Sequence, residues 1–279
     1  MVLKSYSKIN LSLNINSKLK SGLHEIQSYF CLIDLYDKIK IYKIKKNKDQ
    51  IIFKGSFSKY IGKSNNSILN ILKLLRKLKL ISNYYSVRII KNIPVFSGLG
   101  GGTSNAFFIL KFLLKKEKID KKQFNKIEKL IGSDLRLFFY KQGFLENLKT
   151  IKDAKKKQKL IFLLSRPNIN CSTRLIYSKV NRYSKKTKFS FNKINTKKKF
   201  INYILSSKNE LQSIVEKKYP IIKKLLTDIK VEKGCYLSRM SGSGSVCYGL
   251  FNNEDNAKKA LSKLKRRYPK FWFSIAKTV

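Results

Sequence analysis

The 279-residue sequence predicts an α+β protein of two domains. Three observations predict it. Short apolar segments of strand character alternate with longer helical ones along the chain. A glycine-rich loop joins one such strand to one such helix. A charged, polar stretch at residues 152–158 separates two runs of this kind, dividing the chain into residues 1–152 and 153–279. Hydrophobic residues make up 43% of the sequence, which excludes a disordered polycation and leaves enough apolar side chains for two cores.

The elements follow in order. Residues 7–15 alternate cleanly: Ile9, Leu11, Leu13 and Ile15 on one face, Lys8, Asn10, Ser12 and Asn14 on the other, as in a half-buried strand. Such a polar face is ordinarily solvated. A turn at Gly22 then presents His24, the only histidine. Residues 86–91, with Val87, Ile89 and Ile90, are β-prone and lead into the glycine loop. Residues 105–114 carry Ala106, Phe107, Ile109, Leu110, Leu113 and Leu114 without Pro or Gly, a buried helix for which Thr103 or Ser104 is the expected cap. Residues 160–164 form a buried strand ending before Pro167, and residues 184–199 an exposed, low-complexity loop. An amphipathic helix is expected over 219–229, a turn at 241–244, and a strand carrying Val246, Tyr248 and Leu250. Asn253-Glu254-Asp255 opens a further helix and residues 271–275 form a closing strand. There is no internal repeat.

The glycine loop reads Pro94-Val95-Phe96-Ser97-Gly98-Leu99-Gly100-Gly101-Gly102-Thr103-Ser104. Placed between a strand and a helix, it brings backbone N–H groups and the positive end of the helix dipole to one point, the ingredients of a phosphate cradle. It is not a Walker A loop, because no lysine follows Gly102. It is not a dinucleotide fingerprint, because Thr103 holds the third glycine place. The H-R-D and D-F-G signatures that accompany the protein-kinase loop are missing from the sequence.

The remaining pattern, P-x-x-x-G-L-G-G-G-T-S-N-A, resembles the phosphate loop of the GHMP kinases. Three further segments narrow the resemblance within that superfamily: Ser7-Lys8-Ile9-Asn10-Leu11-Ser12-Leu13, Gly22-Leu23-His24-Glu25-Ile26-Gln27 and Cys31-Leu32-Ile33-Asp34-Leu35-Tyr36-Asp37. Together with Gly132-Ser133-Asp134 and Met240-Ser241-Gly242-Ser243-Gly244, they are similar, in order, to the motifs of the 4-diphosphocytidyl-2-C-methyl-D-erythritol kinases. The resemblance implies a ribosomal-protein-S5-like N-terminal domain that binds ATP and a ferredoxin-like C-terminal domain. It implies ATP-dependent phosphorylation of the 2-hydroxyl of a small cytidine diphosphate substrate, with Mg2+ bridging the phosphates. By the same resemblance Asp134 is the catalytic base and Lys8 its charged partner, residues 94–104 hold ATP, and Asn10, His24 and Tyr177 contact substrate. His24 and Tyr177 are expected to hold the cytosine between them. Three places depart from the pattern: Leu23 stands at a usual tyrosine, Arg136 at a usual proline, and Glu146-Asn147-Leu148-Lys149 lacks the glycines that usually follow the catalytic segment. The alternatives are another small-molecule GHMP kinase, of homoserine or mevalonate type, or a basic RNA-binding protein that has lost catalysis.

Composition sets the remaining bounds. The 62 Lys and Arg against 16 Asp and Glu give a net charge of +46. The cations are spread along the chain and accompany abundant Ile, Asn, Tyr and Phe, the pattern of an AT-rich genome rather than of a nucleic-acid site, so no specific nucleic-acid partner is expected. Such a surface would still steer an anionic substrate. The 4 cysteines lack metal-ligand spacing, so no metal site of the protein's own is expected. No segment has the length of a membrane span and no secretory signal opens the chain, so the expectation is a cytoplasmic protein with no membrane partner. No oligomeric state follows from these residues.

Overall fold

The computed structural model describes residues 2–62, 66–115 and 119–279. In chain order the elements are β1 (Val2–Asn10), β2 (Asn14–Lys18), β3 (His24–Ile44), β4 (Gln50–Lys54), α1 (Ser67–Lys77), β5 (Tyr84–Ile90), α2 (Gly101–Leu113), α3 (Lys121–Ile131), β6 (Gln142–Leu145), β7 (Ile151–Asp153), β8 (Ile161–Arg166), α4 (Thr173–Tyr177), α5 (Lys197–Ser206), α6 (Gln212–Lys218), α7 (Pro220–Lys230), β9 (Cys235–Met240), β10 (Cys247–Phe251), α8 (Glu254–Arg267) and β11 (Trp272–Lys277). Among the described residues no helix is long and apolar enough to cross a membrane.

The chain forms two compact units. One holds the residues up to Ser7, Leu35–Val95 and Gly100–Phe139; the other holds Lys8–Asp34, Phe96–Leu99 and Tyr140–Val279. The units interleave along the sequence. β1 and β3 each give residues to both units.

In the first unit the C-terminal part of β3 pairs antiparallel with β5, from Lys38 opposite Ile90 to Ile44 opposite Tyr84, and β4 runs parallel to β5. Ile39, Ile41, Val87 and Ile89 pack against Ile68 and Leu72 of α1 and Ile109 of α2. Alternate residues of a strand share a face, and positions three or four apart share a face of a helix. α1 is capped by Asn66, whose side chain accepts from Leu69 N–H at 3.0 Å. α3 opens on a capping box between Asp120 and Gln123.

In the second unit an antiparallel sheet has the order β11-β8-β10-β9. The strands that come first and third in sequence, β8 and β10, are central, and helices separate β8 from β9 and β10 from β11, the ferredoxin-like arrangement expected. α7 buries Ile222, Leu225, Leu226 and Ile229; α8, capped by Asn253, buries Ala257, Ala260 and Leu264.

Four local expectations are corrected. The alternating run 7–15 is not one strand: β1 ends at Asn10 and β2 starts at Asn14. Its polar face is not solvated either, since Lys8, Asn10 and Ser12 are 3%, 2% and 3% exposed. Residues 184–199 are mostly exposed, as expected, but they are pinned at Phe189 and Ile194, which are buried, and the chain enters α5 at Lys197. Phe189 stacks on Phe144 with ring centroids 4.0 Å apart, and Phe191, Phe200 and Tyr203 join Tyr29 in the same aromatic cluster. Finally, α2 starts at Gly101, so Thr103 and Ser104 lie within its first turn rather than capping it.

Candidate active site

The glycine loop contributes to both units. Its last part is the start of α2. Gly100 sits at the N-cap in the left-handed region, φ +70°, and has no side chain with which to cap the helix. The N–H groups of the first turn therefore face outward, the condition for holding an anion. Ser104 is not available to a ligand. It is fully buried, donates to Tyr6 O at 2.5 Å and lies 2.7 Å from Ser5 Oγ.

The middle of the loop, Phe96–Leu99, belongs to the second unit and is interlocked there with the loop after β9. Gly98 adopts φ +76°, and a Cβ at this position would stand 2.0 Å from Ser241 O. Ser241 Oγ donates to Gly98 O at 3.2 Å, and Val246 N–H donates to Ser97 O at 3.1 Å. Gly242, at φ +54°, leaves room for the Asn10 amide: a Cβ there would lie 3.2 Å from Asn10 Oδ1. Asn209 Nδ2 holds this second loop from behind, donating to Met240 O and Gly242 O at 2.8 Å each.

Lys8 and Asn10 are built into the same knot. Lys8 N–H donates to Leu99 O at 3.0 Å and Asn10 N–H to Ser241 Oγ at 3.3 Å. The Lys8 ammonium donates to Asn10 Oδ1. Asn10 Nδ2 donates to Ser28 Oγ at 2.8 Å, and Ser28 passes the chain on to Ser12 O at 2.5 Å. The amide orientation of Asn10 is thus determined by its neighbours, with one N–H and one lone pair still unused by these bonds. Tyr248 Oη donates to Asn10 O at 3.2 Å. Sequence reasoning missed Ser28, Asn209 and Tyr248. Nothing local marks them, because their partners lie up to 238 positions away.

His24 and Tyr177 come together, with ring centroids 5.1 Å apart and an angle of 33° between planes. Tyr183, a residue the motifs did not single out, adds a third ring 6.3 Å from His24 at 30°. Two rings with a base between them stand about 7 Å apart, twice a van der Waals contact, so His24 and Tyr177 lean on each other rather than framing a slot. Burial, and then the charge of Lys18, hold the His24 pKa below its usual value. Leu23, beside it, is 51% exposed.

Asp134 lies in the first unit, half-buried in the first turn of a 3₁₀ segment, Ser133–Phe139. Gly132 before it has φ +117°, while Leu135, Leu137 and Phe138 anchor the segment in the core. Arg136 forks onto Glu128 of α3, its Nη2 at 2.9 Å from Oε2, and its guanidinium covers the Phe124 ring at 4.8 Å. A charged residue is accommodated at this position because α3 supplies both a carboxylate and a ring.

Residues 66–140 match the family model of the GHMP kinases N terminal domain, and residues 194–270 that of the GHMP kinases C terminal. The chain is 38% identical to the 4-diphosphocytidyl-2-C-methyl-D-erythritol kinase of Pelagibacter ubique over 99% of its own length and 98% of the relative's. It is 32% identical to that of Anaplasma marginale, covering 95% of this chain and 93% of the other. A crystal structure of 4-(cytidine 5'-diphospho)-2C-methyl-D-erythritol kinase shares the fold at a TM-score of 0.76 and 19% identity, with 99% of each chain covered. Homoserine kinase from Cytophaga hutchinsonii shares it at 0.68 and 14%, over 100% of this chain and 93% of that one. With the two motif loops interlocked and relatives matched from end to end, the chain is an ATP-using small-molecule kinase and belongs to the 4-diphosphocytidyl-2-C-methyl-D-erythritol kinase family of the GHMP superfamily.

Proposed function

We propose that this protein transfers the terminal phosphoryl group of ATP to the 2-hydroxyl of 4-diphosphocytidyl-2-C-methyl-D-erythritol, giving the 2-phosphate and ADP in non-mevalonate isoprenoid precursor biosynthesis. The observation that carries the reading is the knot in which Gly98, Ser241, Lys8 and Asn10 hold one another. It sets a buried ammonium against a loop with a phosphate-binding pattern, in a chain whose full-length relatives bear that kinase's name.

Phosphoryl transfer to an alcohol has a loose transition state, so positioning and charge stabilisation supply most of the catalysis. Asp134 accepts the proton of the 2-hydroxyl as its oxygen bonds to phosphorus and the bond to the ADP oxygen breaks. Lys8 serves as the charged partner that stabilises the attacking oxygen. The outward N–H groups of the first turn of α2 receive phosphate oxygens, within the binding segment 94–104. Mg2+, when bound, would be carried by the nucleotide phosphates, its common mode in kinases, and would neutralise their charge. His24, kept neutral, offers a donor and an acceptor to the cytosine edge. The base stacks on an outer face of the His24, Tyr177 and Tyr183 ring group rather than between the first two. Asn10 uses its remaining N–H toward the substrate. In chain order, residues 1–152 carry the ATP-binding part and 153–279 the C-terminal part.

The test is incubation with ATP and a panel of alcohols, with products followed by phosphorus NMR. The cytidine substrate alone should be phosphorylated. Turnover of homoserine or mevalonate instead, or sequence-blind RNA binding without any ATP turnover, overturns the reading.

A further inference from the structure

A buried ion pair in the first unit has no part in the chemistry above. Lys91, the residue after β5, is 2% exposed and Asp37 of β3 is fully buried; the ammonium donates to Asp37 Oδ2. The other carboxylate oxygen accepts from Asn92 N–H at 2.7 Å and Ile93 N–H at 2.9 Å. Lys91 Nζ also donates to Asn105 Oδ1 at 3.0 Å, and Asn105 Nδ2 donates to Ser5 Oγ at 3.2 Å. A Cβ on Gly101 would lie 3.4 Å from Lys91 Nζ and 2.9 Å from Ile93 Cγ2. The ammonium thus sits under the first turn of α2. Gly101 and Asn105, four residues apart, share the helix face that rests on it.

This placement is electrostatically poor on its own terms. A cation is removed from water and set at the positive end of a helix, and a buried ion pair is weak evidence for stability. Its geometry accounts for it better. Asp37 grips the two residues that lead from β5 into the glycine loop, and Lys91 with Asn105 grips the helix that leaves the loop. We propose that Asp37, Lys91 and Asn105 are positioning residues that set the start of α2 against residues 92 and 93, and so aim the helix N–H groups at the nucleotide phosphates. The proposal rests on the kinase reading above. A small misplacement of such groups is costly, because the transition state is stabilised by fixed donors. No local pattern marks this role, since Asp37 and Lys91 lie 54 positions apart.

Substitution of Lys91 or Asp37 leaves the other charge buried without its partner and can prevent folding, so the test uses Asn105, whose replacement leaves the Asp37–Lys91 pair in place. ATP and the cytidine substrate are each titrated calorimetrically onto wild type, Asn105→Ala and Asn105→Asp, with unfolding midpoints measured alongside. Asn105→Ala should weaken ATP about tenfold and leave the cytidine substrate within twofold. Asn105→Asp, which keeps the acceptor for Lys91, should recover most of the ATP affinity. ATP affinity within twofold of wild type in Asn105→Ala overturns the proposal. So does equal weakening of both ligands, the mark of a merely structural role, and so does an Asn105→Asp variant as weak as Asn105→Ala. A wild type that binds ATP but turns over no cytidine substrate counts against the proposed function instead.

Discussion

Replacing Gly98 by alanine tests the interlocked loops directly. The added Cβ would stand 2.0 Å from Ser241 O, 3.0 Å from Ser241 C and 3.2 Å from Gly244 N, all backbone atoms that cannot rotate away. An L-residue in the left-handed region costs about 1–2 kcal/mol. Relief of the clash moves the two loops apart and weakens the Ser241 Oγ–Gly98 O and Val246 N–Ser97 O hydrogen bonds, at about 1 kcal/mol each. The expected loss is therefore about 3–4 kcal/mol, a large share of a typical domain's stability of about 5–15 kcal/mol. Gly22→Ala is the control. Gly22 has a similar φ of +82° with nothing within 4 Å of where a Cβ would stand, so it should lose only the conformational part, about 1–2 kcal/mol. Urea unfolding of both variants gives the difference, and kcat/KM for Gly98→Ala should fall about 100-fold as the phosphate contacts shift. Equal destabilisation of the two variants, with Gly98→Ala still active, would refute the reasoning.

Asp134→Asn should abolish turnover while ATP still binds in a calorimetric titration, and Lys8→Met should lose most activity with its circular dichroism spectrum unchanged. Lys79→Gly should raise stability by about 0.5–1 kcal/mol with activity unaltered. Lys79 has φ +57° at the end of α1, where its N–H donates to Arg76 O at 2.9 Å and Leu80 N–H to Leu75 O at 3.0 Å, a helix stop that favours glycine. The lowered pKa of His24 means that the unfolded chain binds this proton more readily than the fold does. The stabilising contribution is complete above the ordinary histidine value of about 6.5 and is lost as pH falls through and below it. Urea midpoints at pH 7.5 and 5.5 should differ more for wild type than for His24→Gln.

Much of the molecule was legible from short stretches of chain. The glycine loop between β5 and α2, the Asn253 cap of α8 and the alternation of Tyr248 and Leu250 in β10 all depend on residues within a turn or two of one another. Local sterics, capping and periodicity act at that range, so the sequence determined where most elements lie and which loop is shaped for phosphate. Tertiary structure decided what those elements touch. Burial of the Lys8 and Asn10 face depends on Ser28 and Ser241; the stacking of Phe189 depends on Phe144; the third ring beside His24 comes from Tyr183. The Asp37–Lys91 pair likewise joins a position in β3 to the residue that follows β5. Desolvation and packing are properties of the space around an atom. That space is assembled from segments far apart in the chain, and no local pattern encodes which of them will meet.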